Sequence, residues 1–300
     1  MELHHLRYFV ATAERSSITD AARALHVSQP AVSRAVRQLE DEIGVELLER
    51  AKQRVKVTAA GVAFLVRARQ ILCDMETAKQ QVREAYGGER RTLRLGFVTT
   101  FLDDLVAPVM REFQQRHGGA RVSLFDLTPR AQLNRLRDRE LDLALLANLE
   151  GEEKEEFDVR ELSRHRLALV LPSGHRLAGR KKLRLEELAG EAWVSLADSA
   201  FPGRRRFLHG LCERASFEPR IVAELESLPL MLAEVATGGG VGLLPEHAKR
   251  LPHGGCEFVL LGSPRAVVTL CLVMRRGEEG GAEQESLVAL LAERAKELGD

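Results

Sequence analysis

The 300 residues, 45% hydrophobic, supply ample core for one small domain and one or two ordinary ones. The 44 Lys/Arg and 44 Asp/Glu cancel overall but not locally: residues 1–95 carry 16 against 12 and residues 96–300 carry 28 against 32, which fits an N-terminal polyanion binder joined to a domain that need not touch nucleic acid. Cys73, Cys212, Cys256 and Cys271 are scattered, with no CxxC, and signal neither a disulfide framework nor a cysteine-rich zinc site. With no basic-then-apolar leader in MELHHLRYF and no apolar run near membrane length, a cytoplasmic, reducing location without membrane attachment is expected.

Leu3, Leu6, Phe9, Val10 and Ala13 predict a first amphipathic helix. Ile18, Ala21, Ala22 and Leu25 predict a second, broken at His26-Val27. Ser28 is a natural N-cap for a third, which carries Pro30 in its first turn, where a missing N–H costs nothing. Val32, Ala35, Val36, Leu39 and Ile43 form one apolar stripe, and Gln29, Ser33, Arg34, Arg37 and Gln38 fall largely opposite. Only one face of so short a helix can be core. The other, rich in Gln, Ser and Arg near its start, suits the major groove, where Gln pairs with adenine and Arg with guanine or phosphate. Alternating basic and apolar residues over Arg54–Val57 predict a hairpin wing that places Arg54 against phosphates or in the minor groove. The competing reading is a small helical domain with a basic solvated face; the order helix, turn, capped helix, basic hairpin argues against it.

Thr58 can cap a long helix over about 59–85. Phe64, Ile71, Ala78 and Ala85 recur every seven residues, interleaved with Ala68, Met75 and Val82. Such a seam is satisfied by the same helix of a second subunit or by the chain's own C-terminal domain. Residues 87–91 look like a hinge.

From Leu93 strands and helices alternate, predicting an α/β region with a largely parallel sheet. The strands are Leu93–Val98, Val122–Asp126, Leu141–Leu146, Leu167–Leu171, Trp193–Leu196, Ile221–Leu225, Val241–Leu244, Phe258–Leu261 and Val267–Met274. The helices are Leu105–His117, Ala131–Asp138, one near Phe207–Ala215, Leu228–Thr237 and Ser286–Leu298. Residues 150–156 read as an acidic surface connection.

Thr99-Thr100 and Thr128-Pro129 each follow a strand and precede a helix, so both junctions fall at the carboxyl edge of the sheet. Hydroxyls, free N–H groups and two positive helix ends there make a seat for a carboxylate or similar small anion, although a threonine at such a position is also simply how helices begin. The run from Ser199 to Phe207 is placed to form the opposing wall, with Phe201 over an apolar part of a ligand and Arg204 or Arg205 against its charge; a solvated turn with surface arginines is the alternative. Gly238-Gly239-Gly240-Val241-Gly242 follows a helix and precedes a strand, the reverse of a dinucleotide fingerprint, and reads as a helix stop and turn. No HExxH, GxSxG or paired-acid motif is present, so no enzyme, cofactor or metal is expected. His165 and His175 can approach one another but lack a third partner.

Phe9-Val10-Ala11, residues 17–22 (SITDAA), residues 25–34 (LHVSQPAVSR), Leu39-Glu40, Gly44, residues 47–50 (LLER) and residues 58–61 (TAAG) closely resemble the start of LysR-type transcriptional regulators. The likeness is tight over about 65 residues and extends, less tightly, along the whole chain. It implies a winged helix-turn-helix at 1–58, a linker and dimerisation helix at 59–88, and an effector-binding domain at 89–300 like the periplasmic solute-binding proteins. Its two lobes would cover about 92–166 with 268–300, and about 167–267. It further implies promoter DNA and a small-molecule effector as partners, a homodimer through the linker helix and a homotetramer. The DNA-facing positions it implies are Gln29, Pro30, Ser33, Arg34, Arg37 and Arg54; the effector contacts are Thr99, Thr100, Thr128, Phe201 and Pro202. The paired threonines and Phe125-Asp126-Leu127-Thr128 resemble the branch that senses carboxylated products of aromatic breakdown. Members that bind dicarboxylates often carry Arg after the third strand, where this chain reads Leu145-Leu146-Ala147-Asn148. The expected function is a DNA-binding regulator responsive to a small carboxylated metabolite. The rivals are a constitutive DNA binder with a vestigial cleft and a small-molecule-binding enzyme or receptor.

Overall fold

The computed structural model describes residues 1–51, 54–87, 92–149, 151–252, 254–278 and 280–299, and within them every side chain but those of Arg50, Ala51, Arg54, Val66, Gln70, Cys73, Glu76, Thr77, Gln80 and residues 81–87. The chain divides into two compact units, Met1–Glu89 and Arg90–Asp300. Most of the hinge expected at 87–91 lies outside the described residues.

In the first unit, helices α1 (Leu3–Arg15), α2 (Ile18–Ala24) and α3 (Gln29–Ile43) are followed by a hairpin of β1 (Leu48–Ala51) and β2 (Arg54–Val57) and by the long helix α4 (Ala59–Gly87). The apolar stripes of the three short helices meet in one core containing Leu6, Phe9, Ala22, Val32, Val36 and Leu39, closed by Leu47, Leu48 and Val55 from the hairpin. The Ser17 hydroxyl accepts from the Asp20 N–H at 3.2 Å and caps α2. Ser28 occupies the cap position of α3, but its hydroxyl makes no cap bond there. Thr58 does cap α4, accepting from the Gly61 N–H at 2.9 Å while donating to the Glu46 carbonyl at 2.8 Å. Gly61 is required by close approach, since a Cβ there would lie 2.1 Å from the Leu47 carbonyl oxygen.

The heptad stripe on α4 is divided by this packing. Phe64 sits 5.5 Å from Phe9, ring centre to ring centre, and Ala68 is fully buried in the head. One turn on, Ile71 is 39% exposed, Met75 is half-buried and Ala78 is exposed, so the same stripe runs off the head and emerges uncovered. The side chains of Val82 and Ala85 lie outside the described residues.

The second unit begins with β3 (Thr92–Phe97), a tight turn at Thr99–Phe101, a wide π-helical turn at Leu102–Val106, and α5 (Ala107–Arg116). It continues through β4 (Arg121–Asp126), α6 (Pro129–Arg137), β5 (Leu143–Ala147) and a single acidic turn, α7 (Glu152–Glu156), to the 16-residue strand β6 (Phe157–Pro172). Then come β7 (Lys182–Arg184), β8 (Ala192–Leu196), α8 (Arg204–Glu213), β9 (Arg220–Leu225), α9 (Leu228–Ala236), β10 (Gly242–Pro245), β11 (Cys256–Ser263), β12 (Val267–Arg275) and α10 (Ala282–Leu298). The main sheet has the order β4-β3-β5-β12-β6-β11-β7, with β10 also paired to β6. Phe157–Arg166 of β6 pairs with β12, whereas Leu167–Pro172 pairs with β10 and β11. That one long strand therefore carries the chain out of a first lobe (β3, β4, β5, β12) into a second, and the β11–β12 connection brings it back.

The sheet is mixed rather than largely parallel. β3–β4, β3–β5, β8–β9 and β11–β7 are parallel, but β6 and β12, which run between the lobes, are antiparallel to each other, as are β12–β5, β10–β6 and β11–β6. The first half of β6 has no counterpart among the expected strands. It lies at the edge of the first lobe's sheet and reads FDVRELSRHR; only Phe157, Leu162 and His165 in it are buried, too few to signal a strand. The glycine run at 238–242 is the expected stop and turn. Gly240 takes φ +155°, where a Cβ would lie 2.5 Å from the Ala192 carbonyl oxygen, and this lets Val241 exchange two 2.8 Å backbone bonds with β8. The first lobe packs Leu95, Phe97, Leu105, Phe113, Leu272 and Leu291 between sheet and helices, and the second packs Leu169, Leu185, Trp193, Leu211 and Leu243. No helix among the described residues is long and apolar enough to cross a membrane.

Candidate nucleic-acid interface and interlobe cleft

On α3, Val32, Ala35, Val36 and Leu39 are at most 4% exposed and point into the head. Gln29, Pro30, Arg34 and Arg37 are exposed on the other side, and Ser33 is half-buried between them. The structure thus brings these five sequence-derived positions onto one side of one helix. Elsewhere on the head arginines are engaged: Arg23 with Asp20 at 3.1 Å and Arg69 with Glu14 at 2.9 Å. Arg34 and Arg37 make no ion pair among the described residues. A solvated cation without a local counterion is available to a phosphate or a guanine edge at no cost of breaking an existing pair. The Arg54 side chain lies outside the described residues; its backbone opens β2 opposite Ala51. Lys56, two residues along the same strand, is exposed.

A cavity of about 100 Å3 lies between the lobes of the second unit. Thr100, Phe101 and Asn148 line it from the first lobe, and Phe201, Pro202, Arg204 and Phe207 from the second. Of the expected effector contacts, Thr100, Phe201 and Pro202 border this space; Thr99 and Thr128 do not. Because β3 and β4 are parallel neighbours with Phe97 opposite Asp126, the Asp126 carboxylate reaches the turn after β3. There it accepts the Thr99 N–H at 3.0 Å and the Thr99 hydroxyl. The Thr128 hydroxyl accepts from the Ala131 N–H at 3.4 Å as the cap of α6, and the Arg130 N–H of that helix donates across the cleft to the Ala200 carbonyl at 3.0 Å. Both helix starts expected to seat an anion are therefore occupied by the protein's own acceptors.

The cation in the cleft is Arg204. The residue is half-buried, but its Nε is sealed from solvent without a hydrogen-bond partner among the described residues, while Nη2 donates to the Leu243 carbonyl of β10. Its guanidinium lies 5.9 Å from the centre of the Phe207 ring. Burial lowers its pKa to about 10, partly opposed by the field of Asp198; it stays charged at neutral pH, incompletely compensated. Arg205, next in sequence, faces away: its backbone N–H donates to Asp198 and its guanidinium grips Glu224 at 3.1 and 2.8 Å. On the first-lobe wall Asn148, in the left-handed region at φ +50°, ties β5 to β12. The Thr269 N–H donates to its Oδ1 at 2.8 Å and its own N–H to the Thr269 carbonyl at 2.9 Å.

His165 does not meet His175. His165 packs against Phe101 and His247, with ring centres 5.7 and 4.8 Å away, while His175 lies 3.2 Å from Glu191. This ring cluster adjoins the cavity at Phe101 and went unseen in the sequence, where its three members are 64 and 82 residues apart. Neither nitrogen of His247 has a hydrogen-bond partner among the described residues; burial first and the neighbouring His165 second push its pKa down to about 3, so it is neutral. Cys212, Cys256 and Cys271 are buried free thiols, and burial drives the Cys212 thiol up to about 12, far from a reactive thiolate. No group of His, Cys, Asp and Glu among the described residues is arranged to hold a metal ion.

Comparisons with known proteins agree with both halves of this picture. Residues 3–62 match the bacterial regulatory helix-turn-helix protein, lysR family, and residues 86–296 match the LysR substrate binding domain. The Hca operon transcriptional activator HcaR of Escherichia coli is 33% identical over 295 residues, covering 98% of each chain. The solved structure of CbnR, a LysR family transcriptional regulator, is 25% identical and superposes with a TM-score of 0.75 over 99% of this chain and all of that one. Full-length CbnR complexed with its target DNA superposes with a TM-score of 0.74, covering 98% of this chain and all of that one, at the same identity. These families are regulators, not enzymes. The chain belongs to the LysR family and is a sequence-specific DNA-binding transcriptional regulator, built as a winged helix-turn-helix, a linker helix and a two-lobed α/β effector domain.

Proposed function

We propose that this regulator senses a small carboxylated metabolite in the interlobe cleft and transmits its presence to DNA through an oligomer held by α4. The observation that carries the reading is the cavity whose walls come from both lobes and whose second-lobe wall holds the Arg204 cation. A ligand touching both walls binds a closed arrangement better than an open one. That unequal affinity is what a shift of conformational population requires. Thr100, Phe201 and Pro202 border the ligand in this reading; Thr99 and Thr128 shape the wall behind it.

On the DNA side, Gln29, Pro30, Ser33, Arg34 and Arg37 enter the major groove and Arg54 on the wing meets the backbone or minor groove. The stripe that emerges at Ile71, Met75 and Ala78 pairs with its copy in a second subunit, and two such dimers form the tetramer. The protein acts in the cytoplasm, where promoter DNA is found. The test is a nuclease footprint on the DNA upstream of the regulator's own gene, repeated with a panel of small carboxylates. A protected, partly palindromic site whose footprint changes with one of them is expected. A footprint indifferent to the whole panel, with no ligand-dependent thermal shift, would leave a constitutive DNA binder.

A further inference from the structure

We infer that Arg204 is the anchor of the ligand site and that the site takes a monocarboxylate of at most one ring, its carboxylate on the Arg204 guanidinium and its apolar body between Phe201 and Phe207. This rests on the sensor reading above and deepens it. Three features of the cleft lead there. The first is an unmet demand: Arg204 borders the cavity with its Nε sealed and unpartnered, and Nη2 satisfied only by a neutral carbonyl. Buried polar groups are almost always hydrogen-bonded, and a buried cation paired with no anion is costly to keep. A carboxylate entering the cavity supplies the missing countercharge to the guanidinium.

The second is the charge count of the walls. Among the described residues Arg204 is the one charged residue lining the cavity; opposite it stand the neutral Thr100 hydroxyl and Asn148 amide. A second carboxylate on the same ligand would face Asn148 with no cation to meet it, and desolvating an unpaired carboxylate costs far more than a hydrogen bond to an amide returns. The third is size. The cavity measures about 100 Å3, somewhat below the ~150 Å3 apolar hole that accepts benzene. A single ring or a short chain suits it after small adjustment of the lobes, and a larger, two-ring ligand does not.

The experiment is isothermal calorimetry on the full-length protein with acetate, propionate and benzoate, their matched amides, and the diacids succinate and phthalate. At least one monocarboxylate is expected to bind, at least tenfold tighter than its amide and tighter than either diacid. Arg204→Gln should weaken it at least tenfold and Arg204→Lys less, since lysine keeps the charge but loses the fork. Arg205→Gln, which alters only the outward pair with Glu224, should leave affinity within about twofold. Melting temperature and operator affinity of each variant, expected near wild type, separate a lost contact from a lost fold. Equal binding of acid and amide, unchanged affinity in Arg204→Gln, or preference for a diacid would overturn the proposal, as would no binding by any monocarboxylate. If a monocarboxylate binds through Arg204 yet leaves the DNA footprint untouched, the anchor stands and the sensor reading falls.

Discussion

Arg34 and Arg204 each stand near the start of a helix, and the molecule uses them in opposite ways. Arg34 is exposed on α3, with no counterion among the described residues. Arg204 opens α8 half-buried, Nε sealed, its charge held in a low-dielectric wall at a cost visible in its lowered pKa. A polyanion is bound by many exposed cations that each contribute little and are screened together. A small anion is bound by few cations whose hydration has already been removed, so that each contributes more. One chain therefore meets negative charge in two physical regimes, and the regimes can be separated by experiment.

Salt separates them most strongly. If a dimer neutralises roughly six to ten phosphates, raising salt from about 50 to 200 mM should lower operator affinity by about 10^3- to 10^5-fold. Over the same range monocarboxylate binding in the cleft should change by less than about threefold, because the Arg204 contact is shielded from mobile ions. Fluorescence anisotropy for DNA and calorimetry for the small anion give both slopes. Parallel slopes would erase the contrast and place the small-anion site on the exposed surface.

On the cleft side, acid acts through His247. His247 has a folded pKa of about 3 against an ordinary value of 6.5. Below pH 6.5 the unfolded chain binds the proton and the folded one resists it, so this residue's contribution to stability is present above pH 6.5 and is lost as pH falls from 6.5 toward 3. At pH 4.5 the loss is about 2–3 kcal/mol at 1.36 kcal/mol per unit. His247→Phe, which keeps a ring against Phe101 and His165, should flatten that part of the stability profile in urea titrations of the whole chain. An acid limb identical to wild type would show that His247 is not buried neutral.

How much of this was legible depended on whether a residue's environment is set locally. The face of α3 was, because Val32, Val36 and Leu39 recur at helical spacing and fix where Gln29 and Arg34 must point. The division between Arg204 and Arg205 was not. They are adjacent and chemically identical, and which one turns inward is decided by the Leu243 carbonyl on one side and Glu224 on the other. Thr99 and Thr128 were recognised as helix starts from their positions after strands. That Asp126 and Ala200 would fill those starts is a matter of strand register and lobe contact, which no local pattern encodes. The ring cluster of Phe101, His165 and His247 is likewise a tertiary event.

On the DNA side the sharpest single change is Arg34→Ala. A good base contact is worth about 1–3 kcal/mol of discrimination. Binding selections on randomised operators should therefore show a relaxed preference at one base position per half-site, with calorimetric affinity for the small anion unchanged. Arg37→Ala, further along the helix, is expected to weaken all sequences alike and to reduce the salt slope by about one per head, as a phosphate contact does. Exchange of these two outcomes would reassign which arginine reads and which positions; an unchanged preference in both would remove α3 as the reading element.

The smallest expected effect concerns how the reading helix is held. Ser17 and Ser28 both sit at helix starts with extended backbone, but only the Ser17 hydroxyl accepts a helix N–H, from Asp20 at 3.2 Å. Ser17→Ala should cost about 1 kcal/mol of head stability, the usual value of a side-chain cap. Ser28→Ala should cost only a few tenths, since no bond is lost and Pro30 already fixes the backbone of the first turn. The Ser28 hydroxyl, exposed beside Gln29 at the start of the groove-facing turn, is then free to bond a phosphate, so Ser28→Ala should weaken DNA binding slightly while lowering the melting temperature far less than Ser17→Ala does. Ser17→Ala should do the reverse. A thermal melt and an operator titration on the two variants decide it: equal losses of stability would make Ser28 an ordinary cap and withdraw its hydroxyl from the interface.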